Sequence, residues 1–289
     1  MIDLHTHTNA SDGTLTPAEL VREALAVPLE ALAICDHDTF AGYDAAAPLA
    51  AEQGLDLVCG IELSTKLHVA IQRAKTVHML GYFLRQPPSS EFREWLGGIQ
   101  AARRDRNVRM VERLRLLGVD IAIEEVERIG GSIAGRPHFA RLLVEKGYVQ
   151  TSQEAFDEYL DESAKGYVER EEPSVEEGIR RIREAGGLSS LAHPIRLGKR
   201  NHDEEESLIA VMVDAGLQAI EVYHSDHSAA DVERYLSIAR RYGLIVTGGS
   251  DFHGANKPSI RLGLGYRNNI AVPRSVLEEM RARATSPAA

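Results

Sequence analysis

Short, mostly apolar runs alternate with amphipathic segments along most of the chain. The runs, which predict buried strands, occur at 1–4, 29–35, 55–60, 77–83, 187–192, 219–222 and 244–248. Helical patterns occupy 17–26, 42–53, 174–185, 204–215 and 229–242, and the first begins at Pro17 after the capping residue Thr16. Such alternation predicts a parallel α/β sheet, either open or closed into a barrel.

The segment 86–170 breaks this alternation. It carries helical patterns at 90–117, 123–129, 136–146 and 152–160, with no strand pattern between them. We therefore expect a barrel formed by 1–85 and 171–289, and a helical insertion, 86–170, that covers the active site. Residues 285–289 are expected to be a frayed end.

Composition and charge narrow the classes of function. Of the 289 residues 44% are hydrophobic, enough for a sizeable core, and the formal net charge is −10. An acidic protein does not cling to nucleic acid or anionic membranes in general, so an anionic ligand needs a local basic patch or metal ions. No apolar run approaches the roughly 20 residues that span a bilayer. Without a signal-peptide pattern, we expect a cytoplasmic protein in which Cys35 and Cys59 are reduced.

Histidine and acidic residues fall near the predicted strand ends, where parallel strands bring their carboxyl ends together. A His-x-His pair on a strand presents two imidazoles on one side and suits a metal. A single residue of this kind is more often a cap or a core residue, but the conjunction predicts a metal site. Ligands without thiolate favour Mn²⁺, Zn²⁺ or Fe²⁺. The residues are His5, His7, Asp12, Asp36, His37, Asp38, Glu62, His78, His193, Asp251 and His253.

Taken together, these motifs resemble the PHP (polymerase and histidinol phosphatase) family. The resemblance covers the whole chain and implies a distorted (β/α)7 barrel, an α/β fold related to the amidohydrolases. It is carried by Asp3-Leu4-His5-Thr6-His7 with Asp12-Gly13, Asp36-His37-Asp38-Thr39, Gly60-Ile61-Glu62, His78-Met79-Leu80-Gly81-Tyr82, Leu191-Ala192-His193-Pro194 and Gly249-Ser250-Asp251-Phe252-His253-Gly254.

By this resemblance nine residues hold two or three divalent metal ions, with Mn²⁺ expected and Zn²⁺ or Fe²⁺ as alternatives. Many family members carry histidine at the position of Asp12, and a hard anionic ligand there favours Mn²⁺ or Mg²⁺ over Zn²⁺. The implied ligands are His5, His7, Glu62 and Asp251 for the first ion, Glu62, His78 and His193 for the second, and Asp12, His37 and His253 for the third.

Further motifs resemble a subgroup of 3′,5′-nucleoside bisphosphate phosphatases, whose relatives are also described as 5′→3′ exoribonucleases on short RNA. The resemblance implies removal of the 3′-phosphate of adenosine 3′,5′-bisphosphate to give 5′-AMP. It implies substrate contacts by Ser132 and by residues of the other motifs. These motifs are Arg103-Arg104-Asp105-Arg106-Asn107, Gly130-Gly131-Ser132, Gly135-Arg136-Pro137-His138 and Glu221-Val222-Tyr223-His224-Ser225-Asp226-His227.

The residues themselves also point to an anionic substrate. On a helix over 90–117 the apolar stripe is Val108, Val111, Leu114 and Leu117, so Arg104 and Asn107 are expected to face away from the core and toward the site. Arginine makes bidentate contacts to phosphate, which makes Arg103, Arg104 and Arg136 candidates together with His138. The alternatives are a solvated helix face for the first two and a helix cap near Pro137 for the others.

The resulting hypothesis is a phosphoric monoester hydrolase that acts on nucleoside 3′,5′-bisphosphates. Metal-activated water attacks phosphorus while the ribose 3′-oxygen departs. Glu62, Asp251 and His224 are the predicted catalytic residues, the last as a substrate contact or proton donor. The alternatives are a 5′→3′ exoribonuclease that uses the same site, a phosphatase of the histidinol-phosphate type, and a non-catalytic PHP module. No membrane or obligate protein partner is expected.

Overall fold

The computed structural model describes residues 1–69, 72–198 and 201–284. Its main sheet has seven strands in sequence order. Residues 285–289, which were predicted to form a frayed end, lie outside the described residues. The strands are β1 (Ile2–Thr6), β2 (Ala31–Ile34), β3 (Asp56–Val69), β4 (Gln72–Phe83), β5 (Leu188–Leu191), β6 (Ala219–His224) and β7 (Ile245–Gly249).

The seven strands form a nearly closed barrel in which one strand runs against the others. β1, β2 and β3 pair in parallel, as do β5, β6 and β7, whereas β4 is antiparallel to both β3 and β5. β1 approaches β7 through hydrogen bonds from the Asp251 amide to the His5 carbonyl (2.8 Å) and from the His7 amide to the Phe252 carbonyl (2.9 Å). The expectation of parallel strands is therefore wrong for β4.

β3 and β4 are also longer than their apolar runs predicted. Beyond Gly60, polar and apolar residues alternate, and Thr65 donates a hydrogen bond to the carbonyl of Val77 across the strand pair (2.6 Å). Because an alternating run has one polar face, a search for continuous apolar runs ends such a strand too early.

The helices agree closely with the periodic patterns. Thr16 and Glu19 form a capping box at the start of the first helix, which fixes its first residue as Pro17. The bounds are α1 (Pro17–Ala26), α2 (Ala41–Gln53), α3 (Ser90–Leu116), α4 (Ile123–Gly130), α5 (Arg136–Glu145), α6 (Ser152–Ala155), α7 (Val175–Glu184), α8 (His202–Asp214), α9 (Ala229–Tyr242) and α10 (Arg274–Ala284). The sequence patterns missed α10 and the short strands β8 (Ile260–Arg261) and β9 (Gly265–Tyr266).

The helices between β4 and β5 pack around apolar residues of their own. Met110 and Leu114 of α3 are buried together with Phe139 and Leu143 of α5. This helical layer lies beside the barrel, and the division of the chain into a barrel and an insertion at 86–170 stays a prediction. In the described part of the chain, no helix is both long and apolar enough to cross a bilayer.

Candidate metal centre

Three strands place imidazole and carboxylate groups at one end of the barrel. His5 of β1 and His7, directly after the last residue of β1, both face Glu62 because successive side chains of an extended segment alternate in direction. His193 follows β5 with a φ of 28°, and Asp251 follows β7 with a φ of 57°. Both are in the left-handed region, which costs a non-glycine residue free energy and is common at functional sites. The strained turns aim these side chains back over the strand ends.

Glu62 is the hub of this cluster. Its Oε1 is 2.8 Å from Nδ1 of His78 and 2.8 Å from Nε2 of His193. Its Oε2 is 3.1 Å from Nε2 of His7, 3.3 Å from Nδ1 of His37 and 3.4 Å from Nε2 of His5. A carboxylate shared in this way can bridge two metal ions.

β3 and β4 bring Glu62 and His78 together from within strands. Glu62 is opposite Leu80 in the register, two residues from His78. β4 runs antiparallel to β3, and His78 lies near the middle of β4 rather than at its carboxyl end. The predictions that Glu62 follows a strand and that His78 lies at the beginning of one were therefore wrong, although both residues reach the cluster.

Four groups of side chains can each offer ligand atoms that lie within 4.8 Å of one another. The first coincides with the set that the resemblance implied for the first ion, and the second contains that implied for the third ion together with His7. The third combines two residues implied for the second ion with His37. The groups are His5, His7, Glu62 and Asp251; His7, Asp12, His37 and His253; His37, Glu62 and His78; and His5, Glu221 and His224.

The donor set fits divalent ions. The Nε2 atoms of His5 and His7 and the Nδ1 of His37 are buried without a hydrogen-bond partner in the described structure. A buried polar atom without a partner is costly unless something else satisfies it. Although burial opposes ionisation, the surrounding imidazoles hold the pKa of Glu62 well below its ordinary value, so its carboxylate is ready to bind a cation. Burial lowers the pKa values of His37 and His193 to about 3, which keeps both imidazoles neutral, as ligands must be.

Glu221 of β6 is a buried carboxylate that was not among the predicted metal or catalytic residues. Its Oε1 lies 2.9 Å from Nδ1 of His5, and its Oε2 accepts a hydrogen bond from the His193 amide at 2.7 Å. Burial favours the neutral acid, but His5 and His224 outweigh it and lower the pKa of Glu221 to about 2. A carboxylate on the far nitrogen of a ligand histidine fixes its tautomer and orientation. The signal in the sequence was one acid within the apolar run of 219–222.

His224 is buried against Asp251. Its Nε2 is 3.5 Å from Oδ2 of Asp251, its Nδ1 accepts a hydrogen bond from the Asp226 amide (3.0 Å), and its side chain has no exposed surface. The predicted substrate contact is not what the structure shows, because β6 directs this residue inward toward Asp251.

A cleft of about 260 Å³ opens beside the cluster, between the barrel and the helical layer. We call it the arginine cleft. Three candidate metal ligands form its floor, and four arginines with two aromatic residues form its walls. These are Asp12, His37 and His78; Arg103, Arg106, Arg136 and Arg170; and Phe156 and Tyr167.

The arginine cleft holds more positive charge than its acids compensate. Arg103 and Arg170 share Asp38, and Arg170 also pairs with Glu172. The Nε of Arg106 has no hydrogen-bond partner among the described residues, and only 5% of this residue is exposed. Burial, followed by the charges of Arg170 and Arg103, pushes the pKa of Arg106 below its ordinary value. A bound anion would relieve this repulsion, so the cleft is suited to a phosphate group.

The structure corrects the predicted orientation of α3. Arg104 is 57% exposed and its Nε is 2.7 Å from Glu127, so it does not reach the cleft. Asn107 is buried and donates a hydrogen bond to the Ala134 carbonyl (2.6 Å), which fixes the loop before α5. The buried face of α3 contains Arg103 and Arg106, because the cleft supplies polar surroundings that an apolar-stripe argument does not anticipate.

The remaining predicted contacts lie near the start of α5. Arg136 and His138 line the arginine cleft. His138 also accepts a hydrogen bond from the Gly135 amide at Nδ1 (3.0 Å), so its alternative interpretation as a helix cap is confirmed. The Ser132 side chain lies outside the described part of the structure. Arg106 is a cleft residue that was not among the predicted substrate contacts.

Comparison with known proteins identifies the family. The PHP domain profile matches residues 3–172. A 3′,5′-nucleoside bisphosphate phosphatase of Chromobacterium violaceum is 32% identical over 290 residues, which cover 99% of both chains. The chain belongs to the PHP family. Escherichia coli 5′-3′ exoribonuclease Rnm, also a PHP protein, is 34% identical over 260 residues that cover 87% of this chain and 84% of the relative.

A solved structure extends the agreement to the whole fold. A predicted metal-dependent phosphoesterase from Bifidobacterium adolescentis has a TM-score of 0.81 and 35% identity, and the match covers 99% of this chain and 96% of that one. The barrel is thus a PHP-type (β/α)7 barrel, and the chain is a metal-dependent phosphoesterase.

Proposed function

We propose that this PHP phosphoesterase removes the 3′-phosphate from nucleoside 3′,5′-bisphosphates, such as adenosine 3′,5′-bisphosphate, and releases the 5′-monophosphate. The observation that carries the proposal is the arginine cleft next to the metal centre, with four arginines along its walls. A substrate with two phosphates can place one on the metal centre and the other among the arginines. The relative from C. violaceum, a 3′,5′-nucleoside bisphosphate phosphatase, supports the choice.

The nine residues implied by the resemblance are the proposed metal ligands, with Mn²⁺ as the proposed ion because Asp12 adds a hard oxygen. When bound, such ions polarise phosphoryl oxygens and lower the pKa of water. The chain itself positions the substrate: Arg106, Arg136 and Arg170 bind the 5′-phosphate, and this remote binding energy aligns the 3′-phosphate for attack. We also propose that segment 86–170 covers the active site. The free, buried cysteines support a cytoplasmic location.

Two enzymatic alternatives predict different substrate requirements, and a third alternative is not an enzyme. A 5′→3′ exoribonuclease shares the metal centre and the need for a 5′-phosphate, and the E. coli relative supports it. A histidinol-phosphate-type phosphatase needs one phosphate site, which leaves the arginine cleft without a purpose. A non-catalytic module needs no ligand set, yet four groups of potential ligand atoms converge here.

The test is phosphate release with Mn²⁺ from adenosine 3′,5′-bisphosphate, adenosine 3′-phosphate and histidinol phosphate. We expect the bisphosphate to react with a kcat/KM at least about tenfold higher than that of either monophosphate, because only it has an anchoring 5′-phosphate. Arg106→Ala should abolish that preference. Arg104→Ala, on the exposed side of the same helix, is the matched control and should keep it. Equal turnover of the bisphosphate and adenosine 3′-phosphate would refute the anchoring role.

A further inference from the structure

The two carboxylate oxygens of Asp251 face different surroundings. Its Oδ1 faces imidazoles of the proposed ligand set, at 3.4 Å from Nδ1 of His253 and 3.5 Å from Nε2 of His7. Its Oδ2 faces two cations, the Lys257 ammonium at 2.6 Å and the Arg196 guanidinium at 2.9 Å. One oxygen is therefore directed at the candidate metal centre, while the other is engaged by positive charge.

The two cations come from loops that follow different strands. Arg196 belongs to a short 3₁₀ helix after β5 (Pro194–Leu197), and Lys257 lies in the segment after β7. The Nε of Arg196 is also 2.8 Å from Oδ2 of Asp226, which follows β6. The side chains of Arg196 and Lys257 are 39% and 32% exposed, whereas Asp251 is buried. We call Arg196 and Lys257 the cationic clamp, because both reach inward to the same carboxylate oxygen.

The other proposed carboxylate ligands, Glu62 and Asp12, have different partners. Their ion pairs within the described part of the chain are with histidines alone, and none is with a lysine or an arginine. Two positive charges on one oxygen reduce the negative charge that Asp251 can offer to a divalent ion. They also occupy Oδ2, so that it does not serve as a second donor. The cationic clamp thus acts on one of the three carboxylates.

We infer that Arg196 and Lys257 are positioning residues that leave Asp251 one free donor oxygen and limit the affinity of the protein for its first metal ion. This inference rests on the ligand set of the proposed function but not on the proposed substrate. Less of the positive charge of the ion is then neutralised by the protein, and more of it is left for an anionic substrate. Removing either cation should strengthen metal binding. Removing a group that merely orients a ligand would weaken it, by about 10–100-fold.

The experiment measures the dissociation constants of Mn²⁺ by competition with a fluorescent chelator, at neutral pH and without substrate. Lys257→Met and Arg196→Met each remove one charge, and neither leaves a buried cavity because both side chains are partly exposed. In each variant we expect one dissociation constant to fall at least about tenfold, because a unit charge a few ångströms from a divalent ion repels it by that factor even in water. Lys257→Arg keeps the charge and should stay within about threefold of the wild type.

The controls are cations of similar exposure whose acidic partners lie away from the metal centre. Lys146 is 29% exposed and its Nζ is 2.8 Å from Glu125. Arg274 is 35% exposed and its Nη2 is 2.9 Å from Asp56. Lys146→Met and Arg274→Met should each change the affinity for Mn²⁺ by less than about twofold. Circular dichroism identifies a clamp variant that does not fold, and the other clamp variant then decides.

Tighter Mn²⁺ binding in a clamp variant, restored to the wild-type value by the charge-conserving Lys257→Arg, supports the inference. Unchanged or weaker binding in the clamp variants overturns it, because the two cations would then only pair with Asp251 or orient it. Lys257→Arg that binds as tightly as Lys257→Met overturns it as well, since the charge would not be the cause. In these cases hydrolysis of the bisphosphate by the wild type leaves the proposed function standing. If the wild type binds no Mn²⁺, the proposed ligand set fails and the inference falls with it.

Discussion

Replacing Asp38 with asparagine tests whether the walls of the arginine cleft depend on one buried carboxylate. Asp38 has no exposed surface, pairs with Arg103 and lies 3.5 Å from Nη1 of Arg170. Its Oδ1 also accepts a hydrogen bond from the Ser64 amide (2.8 Å). Asparagine tolerates the left-handed backbone there (φ of 51°) and retains an acceptor for Ser64, so the substitution removes chiefly the charge.

The expected loss of stability is large because two buried guanidinium groups lose their shared partner. Arg103 and Arg170 are 8% and 7% exposed. Removing one partner of a buried ion pair costs about 3–5 kcal/mol. At about 2–4 °C per kcal/mol, the melting temperature should fall by about 6–20 °C. Burial raises the pKa of Asp38, but the two arginines outweigh it and lower the pKa to about 2, so this stabilisation is present above pH about 4 and disappears as the pH falls toward 2.

The assay is thermal unfolding at neutral pH, with and without inorganic phosphate. Asp44→Asn is the control, since Asp44 and Arg93 form an exposed pair worth about 1 kcal/mol or less. Phosphate should restore more stability to Asp38→Asn than to the wild type, because the variant cleft has one further uncompensated positive charge. A melting temperature that falls no further than in the control, with no added effect of phosphate, would refute the electrostatic description of this cleft.

Three further predictions concern the metal centre and the barrel. Glu221→Gln should weaken Mn²⁺ binding about 10–100-fold, measured by metal content after dialysis, whereas Glu205→Gln, a buried carboxylate on α8, should keep the metal. Burial opposes protonation of His7, but Asp251 and Glu62 outweigh it and raise the pKa of His7 to about 9. Because Mn²⁺ must displace that proton, the measured affinity for Mn²⁺ should rise from pH 6 to about 9. An affinity that does not change with pH would contradict this prediction. Gly249→Ala places a Cβ 2.2 Å from the His5 backbone nitrogen and should destabilise the barrel by about 1–3 kcal/mol or more. Gly97→Ala has open space around the new Cβ and should stabilise α3 by about 0.5–1 kcal/mol. Denaturant titration measures both changes.

Much of the local structure followed from the sequence because its causes are local. The 3.6-residue period and a capping box determine α1, and the pattern at 229–242 coincides with α9. The nature of the ligand set was also readable, since a His-x-His pair and acids near strand ends indicate metal chemistry wherever the strands lie.

Other features depend on how distant segments pack. The direction of β4 is set by its pairing with β3 and β5, and no pattern within 77–83 reports it. Arg104 and Arg106 look alike in the sequence, yet one contacts solvent and the other the cleft, because the barrel covers one side of α3. Glu221 looked like an isolated acid until β1 and β5 placed His5 and His193 against it.

The sequence by itself therefore determined most of the helices, the family resemblance and the kind of chemistry, because these depend on spacing and side-chain type. The tertiary structure decided which charges lie together, which carboxylate orients the ligand histidines, and that the arginine cleft opens over Asp12, His37 and His78. Burial and through-space distance control these properties, and the chain acquires both only when the barrel closes and the helices pack against it.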